Sequence, residues 1–347
     1  MARTRVHYND DGQVLAEIAN GWDYKPGHAV EFIREWIDRI TEHTPIDIYA
    51  ICVASPDRCH YETKVGEAGR GAAVNQLRKE GADFLNVYTQ RLHEKGIGAV
   101  ASIRMSDTHH RRIEDTPIFT QKHPEWIIQR SDGIQEVAMD YSYPEVREHR
   151  LAIMREIAEE YDVDGLELDF NRWAKHFQRH LGREKAPIMT AYMGQIDEML
   201  KEAAEKRGRD HLILGVRVLG TLEECWNCGL DPKAWVKNGW VDYMVVCEPN
   251  CTWPMMHVEE FAAFTRGTKC ELYAQMGDMM GGSWSGKPEI KDRGLAQSPA
   301  HKGYSGMLLT SEEAKAAAYN FYTWGAQGIS FWNIACNMGH GLSLIHI

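Results

Sequence analysis

Short apolar runs recur along the 347 residues, each followed by a longer stretch with helical spacing, and this alternation constrains the fold more than any other feature. The runs fall at residues 4–9, 47–54, 98–105, 165–170, 212–219, 243–248, 271–276 and 328–333. Amphipathic patterns predict helices at 28–43, 71–95, 145–160, 190–207, 231–238, 256–266 and 311–325. In the first, Val30, Ile33, Ile37 and Ile40 recur at spacings of three and four, which lines one helix face with apolar side chains. Tyr143-Pro144-Glu145 places proline and an acid in a first turn, and Thr310-Ser311-Glu312-Glu313 supplies a capping residue followed by acids. Lys95-Gly96 and Arg207-Gly208 each end a helix with a base before glycine.

Strands separated by helices call for a parallel sheet, because parallel neighbours need a crossover connection. Eight such repeats in a chain of 347 residues suit a closed (β/α)8 TIM barrel. No Gly-x-Gly-x-x-Gly follows the first run, which argues against dinucleotide binding. No linker, repeat or low-complexity tract divides the chain, so residues 1–341 read as a single barrel catalytic domain. Little sequence follows the eighth run, and the eighth helix is expected to be missing or truncated. Residues 342–347 show no cap, turn signal or period and read as a non-native or disordered tail. A barrel without its last helix would leave an apolar flank that a second subunit could cover, so a homo-oligomer is expected.

Composition narrows the partners. With 39 Lys and Arg against 50 Asp and Glu, the net charge of −11 repels phosphate backbones and argues against nucleic acid. No apolar run approaches the ~18 residues that span a bilayer, so no membrane association is expected. The opening Met1-Ala2-Arg3-Thr4-Arg5 lacks the apolar stretch of a secretion leader. A cytoplasmic setting is therefore expected, or a secreted or periplasmic one had a leader been removed. The eight cysteines are scattered and read as reduced core residues. Cys225-Trp226-Asn227-Cys228 has half of a zinc-knuckle spacing, but nothing completes it, so neither metal nor other cofactor is expected.

Within the run 165–170, Glu167 and Asp169 lie two residues apart and so face the same side, with Leu166, Leu168 and Phe170 toward the helices. In a parallel barrel their side is the interior, near the C-terminal mouth where barrel enzymes gather their active groups. Two inward acids raise each other's proton affinity unless cations intervene, and Arg104 and Arg217 have the phase to point inward beside them. Other strand ends bring Asp107, His109, Glu248, Gln275, Trp332 and Asn333 to the same rim, and the first strand adds His7 and Asn9. Trp126, Trp173, Trp226, Trp253, Trp284 and Trp332 fall in or just after the predicted loops, whereas Trp36, Trp235 and Trp324 lie on helices and are expected in the core. An indole face packs against the apolar side of a sugar ring while polar neighbours read its hydroxyls. Trp332, on the rim, is the favoured substrate contact.

The stretch Tyr161-Asp162-Val163-Asp164-Gly165-Leu166-Glu167-Leu168-Asp169-Phe170-Asn171-Arg172 resembles the "VDGIxLDxxR" signature of the family-10-like hypothetical glycosyl hydrolases, barrel proteins of the glycosidase superfamily. Arg104-Met105-Ser106-Asp107 and Phe331-Trp332-Asn333 also look glycosidase-like. A looser similarity runs to the Asp-Gly-x-Asp-x-Asp-x-Glu strand of chitinase-like enzymes, but Asn171 stands where they carry the catalytic glutamate. The Asn-Glu pair that ends the fourth strand of family 10 xylanases is absent too.

The resemblance implies a glycosidase that degrades a poly- or oligosaccharide. Such chemistry needs two carboxyl groups, ~5 Å apart for retention of configuration and ~6.5–9.5 Å for inversion. Asp169 is then expected as nucleophile or base, Glu248 as the acid/base, and Glu167 as a deeper supporting carboxylate, with Asp107 and Asp278 as reserve acids. Arg104, Asp107, His109, Asn171, Arg172, Trp173, Arg217, Gln275, Trp332 and Asn333 are expected to bind substrate. Two alternatives stand beside this reading. One is a divalent-metal-dependent sugar isomerase, epimerase or lyase with Glu167, Asp169, Glu248 and His109 as ligands; the other is a noncatalytic carbohydrate-binding barrel.

Overall fold

The eight runs form strands whose ends fall within one residue of those expected: β1 (Arg5–Asp10), β2 (Ile48–Ser55), β3 (Gly98–Arg104), β4 (Gly165–Asp169), β5 (Ile213–Leu219), β6 (Tyr243–Cys247), β7 (Glu271–Met276) and β8 (Gly328–Trp332). All pair in parallel with their sequence neighbours, and β1 also pairs with β8, which closes the ring. The structure, a computed structural model, describes residues 5–20, 24–42, 44–69, 71–106, 112–128, 137–178, 180–248, 252–277, 279–280, 307–308 and 310–332. The expected missing eighth helix and the tail at 342–347 lie outside the described residues.

Between the strands run α1 (Gln13–Asn20), α2 (Ala29–Thr41), α3 (Ala72–Lys79), α4 (Phe84–Glu94), α5 (Ile118–Lys122), α6 (Pro144–Glu160), α7 (Gly182–Lys206), α8 (Leu222–Asn227), α9 (Pro232–Lys237), α10 (Val258–Thr265) and α11 (Ser311–Thr323). The pattern at 71–95 is two helices rather than one. The chain turns at Gly81, where φ is +69°, and Asp83 starts α4 afresh by accepting the N–H groups of Leu85 and Asn86. Helix α7 begins eight residues before the expected 190, with Pro187 inside it on an exposed face. The short helices α1, α5 and α8 were not expected. Among the described residues no helix is long and apolar enough to cross a membrane.

Strand alternation sorts the core into two layers. Leu166, Leu168, Val216, Val218, Met244 and Val246 face outward and pack with the helices in one continuous apolar cluster. Ile48, Ala50, Val100, Tyr243, Val245, Cys247 and Tyr273 fill the interior. The two tyrosine rings need room that only glycine leaves. A Cβ on Gly215 would collide with the Tyr243 ring, and one on Gly328 with the Tyr273 ring. Register then sets the site: Glu167 lies beside Ser102 and Gly215, and one layer higher Asp169 lies between Arg104 and Arg217.

Candidate active site

Glu167 is sealed in the barrel. Its Oε1 accepts from Asn9 Nδ2 at 2.6 Å and the Ser102 hydroxyl at 2.9 Å, and its Oε2 accepts from the Tyr243 hydroxyl at 3.0 Å. His7 Nε2 lies 2.9 Å from the same Oε2, and His7 Nδ1 is 2.8 Å from the Ser330 hydroxyl. Burial alone would push this carboxyl up, but His7, the Arg217 charge and Ser102 outweigh it and hold it below the ordinary glutamate value. Among the described residues Glu167 connects to Asp169 through Asn9 and Arg217.

Asp169 is 1% exposed at the tip of β4. Its Oδ1 accepts the backbone N–H groups of Asn171 and Arg172, both at 3.0 Å, and its Oδ2 accepts from Arg217 Nη1 at 2.6 Å. Burial raises its pKa above the ordinary aspartate value despite Arg217, with the charges of Glu167 and Asp11 acting in the same direction as burial. Arg217 in turn donates to Asn9 Oδ1 at 3.3 Å and to Gln275 Oε1, and Gln275 Nε2 donates to the Glu248 carbonyl at 2.6 Å. One hydrogen-bonded chain thus runs through β1, β4, β5 and β7 across the mouth. Arg217 Nε has no partner within it.

Above this layer sits a carboxylate that the sequence reading missed. Asp11, just past β1, lies 2.8 Å from Arg104 Nη2 and 3.9 Å from Arg172 Nη1. Burial opposes its ionisation, yet Arg104 and Arg172 hold it well below the usual carboxylate range. The Arg172 guanidinium lies over the Trp332 ring, 5.5 Å from its centroid, and so spans the mouth from the β4 loop to β8. Trp332 is buried, with an Nε1 that no group among the described residues accepts. His60 was missed as well. It accompanies Asp11, its Nδ1 3.2 Å from the Cys52 carbonyl, and desolvation and the Arg104 charge push it down to about 4.

The expected pairing of Asp169 with Glu248 across the mouth is corrected. Glu248 continues the outward phase of Met244 and Val246. Its carboxylate packs on Gly220, where a Cβ would collide with it, and faces Glu224. A shift of one residue along a strand reverses the face, and the strand ends at Cys247. Burial and the Glu224 charge push Glu248 up to about 7 against the Gly220 N–H.

Of the other expected contacts, Asn171 is buried beside Asp169 and Trp173 is 41% exposed on the loop after β4. Trp173 holds φ at +55°, a left-handed backbone that costs a non-glycine residue about 1–2 kcal/mol, and Lys175 Nζ lies 5.3 Å from its ring centroid. Trp253 is 38% exposed in the loop after β6, Trp126 stacks on His123, and Trp226 lies on the outer face of α8. Trp36 and Trp235 are core residues, and Trp324 is partly buried against the core. Asp107, His109, Asp278, Trp284 and Asn333 lie outside the described residues. Cys225 and Cys228 are free thiols, and among the described residues no group of three or more His, Cys, Asp or Glu is arranged to hold a metal.

Residues 29–184 match the family described as Glycosyl hydrolase-like 10, the family that the stretch 161–172 resembles. No curated protein matches the chain. Among solved structures it is similar to the PgaB (BpsB) glycoside hydrolase domain from Bordetella bronchiseptica, with a TM-score of 0.61 and 10% identity over 97% of this chain and 96% of that one. It is also similar to a family GH18 chitinase from Cycas revoluta, with a TM-score of 0.56 and 12% identity over 99% and 98% of the two chains. The alpha-L-fucosidase isoenzyme 2 from Paenibacillus thiaminolyticus gives a TM-score of 0.55 and 13% identity over 95% of this chain and 46% of that one. At such identities the likeness shows the fold, a barrel of the kind glycoside hydrolases use.

Proposed function

We propose that this barrel, whose residues 29–184 match a glycosyl hydrolase-like family, is a glycoside hydrolase that cleaves a poly- or oligosaccharide at its C-terminal mouth. The observation that carries the reading is the Asp169–Arg217 pair lying beneath the Arg172–Trp332 stack. It joins a strand-tip carboxylate, a guanidinium that steadies its charge and a cation–aromatic stack on the rim. Asp169, at the strand tip, acts as nucleophile or base. Glu248, packed outward on Gly220, is assigned no part in the reaction.

The test is turnover of a panel of activated aryl glycosides by Asp169→Asn, with the outward-facing Glu248→Gln as control. Asp169→Asn is expected to lose about 10²–10⁴-fold in kcat, and Glu248→Gln little. Azide is expected to rescue an Asp169→Ala variant with inverted product if Asp169 is the nucleophile. Near-wild-type turnover by Asp169→Asn would refute the assignment. A second reading, a noncatalytic carbohydrate-binding barrel, draws on the burial of Asp169 and the engagement of both its oxygens. It predicts glycan binding that Trp332→Ala abolishes and Asp169→Asn leaves intact, with no turnover by any form.

A further inference from the structure

Away from the barrel axis, a cavity of about 600 Å³ opens between the first turns of α7 and the α8–α9 segment. Its size falls in the ~300–1,000 Å³ range of small-molecule pockets. Trp226 and Pro187 give it an apolar floor, and Arg183, Thr190 and Asp231 give it a polar edge. The Trp226 ring is half-buried, so part of its surface reaches the cavity. Arg183 and Lys233 lie over the ring with their charges 6.0 and 5.7 Å from its centroid, and Arg183 also donates to Asn227 Oδ1 and Glu223 Oε1. Asp231 caps α9 through Oδ1, which accepts the Ala234 N–H at 3.1 Å, and among the described residues its Oδ2 accepts no hydrogen bond. An aromatic floor with donors and an acceptor at its edge is the chemistry that reads a sugar ring.

The walls are preformed. A Cβ on Gly182 would collide with the Asn227 carbonyl, and one on Gly229, at φ +83°, with the Phe177 ring. These close approaches bind the start of α7 to the end of α8. The same contacts tie the cavity to the loop after β4, which carries Arg172 and Trp173. Barrel helices run back from the strands' C-terminal ends, so the first turns of α7 and α8 lie at the end of the barrel that holds the mouth.

We infer that this cavity is a distal carbohydrate subsite, taking a pyranose unit of the glycan whose reacting bond lies at the mouth. The inference rests on the proposed glycan-cleaving function. The test is affinity electrophoresis of the whole chain in native gels cast with xylan, mixed-linkage β-glucan, mannan, pectin or glycol chitosan, alongside turnover of aryl glycosides. Trp226→Ala removes the floor. Ala191→Gln, at an exposed helical position lining the cavity, fills the space without removing a packed ring and carries the test should Trp226→Ala fail to fold.

Both variants are expected to bind about tenfold more weakly to the polysaccharide that retards the wild type, with aryl glycoside turnover unchanged. Wild-type retardation of both, with retardation lost in Trp332→Ala, would overturn the distal subsite and leave the mouth reading standing. A wild type retarded by none of the five polysaccharides and idle on the aryl glycosides would overturn both.

Discussion

Replacing Arg217 by methionine tests whether the mouth is organised around a buried charge pair. Asp169 and Arg217 are 1% and 2% exposed and 2.6 Å apart, so neither charge can recruit water once its partner is gone. Breaking such a pair costs about 3–5 kcal/mol, because the remaining carboxylate stays buried and uncompensated. Adding Asp169→Asn removes that charge while its side-chain oxygen still accepts from Asn171 and Arg172. The double variant should therefore recover about 2 kcal/mol relative to the single one, within the coupling seen between contacting residues. The effect has a sign in pH. The Asp169 pKa is already above its ordinary value, and without Arg217 it rises further. A raised acid contributes stability that is full below the unfolded pKa and lost as pH rises through the folded one. The Arg217→Met deficit should thus be smaller at about pH 5 than at about pH 8. The assay is urea unfolding of the wild type, both single variants and the double variant at the two pH values. A double variant as unstable as the sum of the singles, or a deficit independent of pH, would refute the argument.

The same logic applies to Glu248, which is raised to about 7: its contribution is full below 4.5 and lost as pH rises through about 7. Glu248→Gln should flatten the fall in stability across that window, read by urea unfolding. Gly215→Ala forces a Cβ into the Tyr243 ring and pulls its hydroxyl off Glu167. Overpacking and a lost charged hydrogen bond should together cost about 3–5 kcal/mol in urea unfolding, whereas Gly239→Ala, with open space around it, should not show the steric part. Asp10→Asn presents an amide where Oδ2 now accepts from Trp36 Nε1 and the Tyr49 and Tyr88 hydroxyls, and should cost about 1–3 kcal/mol by thermal unfolding.

The barrel strands were legible because a parallel sheet buried on both faces writes itself as near-continuous apolar runs, as in Met244, Val245 and Val246 of β6. Helix ends were less so. Pro187 reads as a boundary, yet it sits on the exposed side of α7, whose start is held by the close approach of Gly182 to Asn227. The break between α3 and α4 depends on Gly81 taking a positive φ, and isolated glycines within a helical period do not announce this.

Inside the barrel, alternation placed Arg104, Glu167, Asp169 and Arg217 together because a two-residue period needs no tertiary information. The inference failed one step past a strand end, at Glu248, where being close to the rim did not mean facing it. It failed more instructively at Asp10 and Asp11, adjacent and chemically identical. Asp10 closes β1, and burial raises its pKa although Tyr49, Gly12, Trp36 and Tyr88 all donate to it, so it serves as a structural anchor for the start of α1. Asp11, one residue on, meets the guanidinium groups of Arg104 and Arg172, and its pKa falls. Nothing local separates the two. What separates them is which side of β1 each side chain leaves from, and hence whether three aromatic donors or two arginines from β3 and the β4 loop receive it. Which of the two meets the arginines is therefore a property of the closed ring, and reading it required β1 and β3 to be in place together.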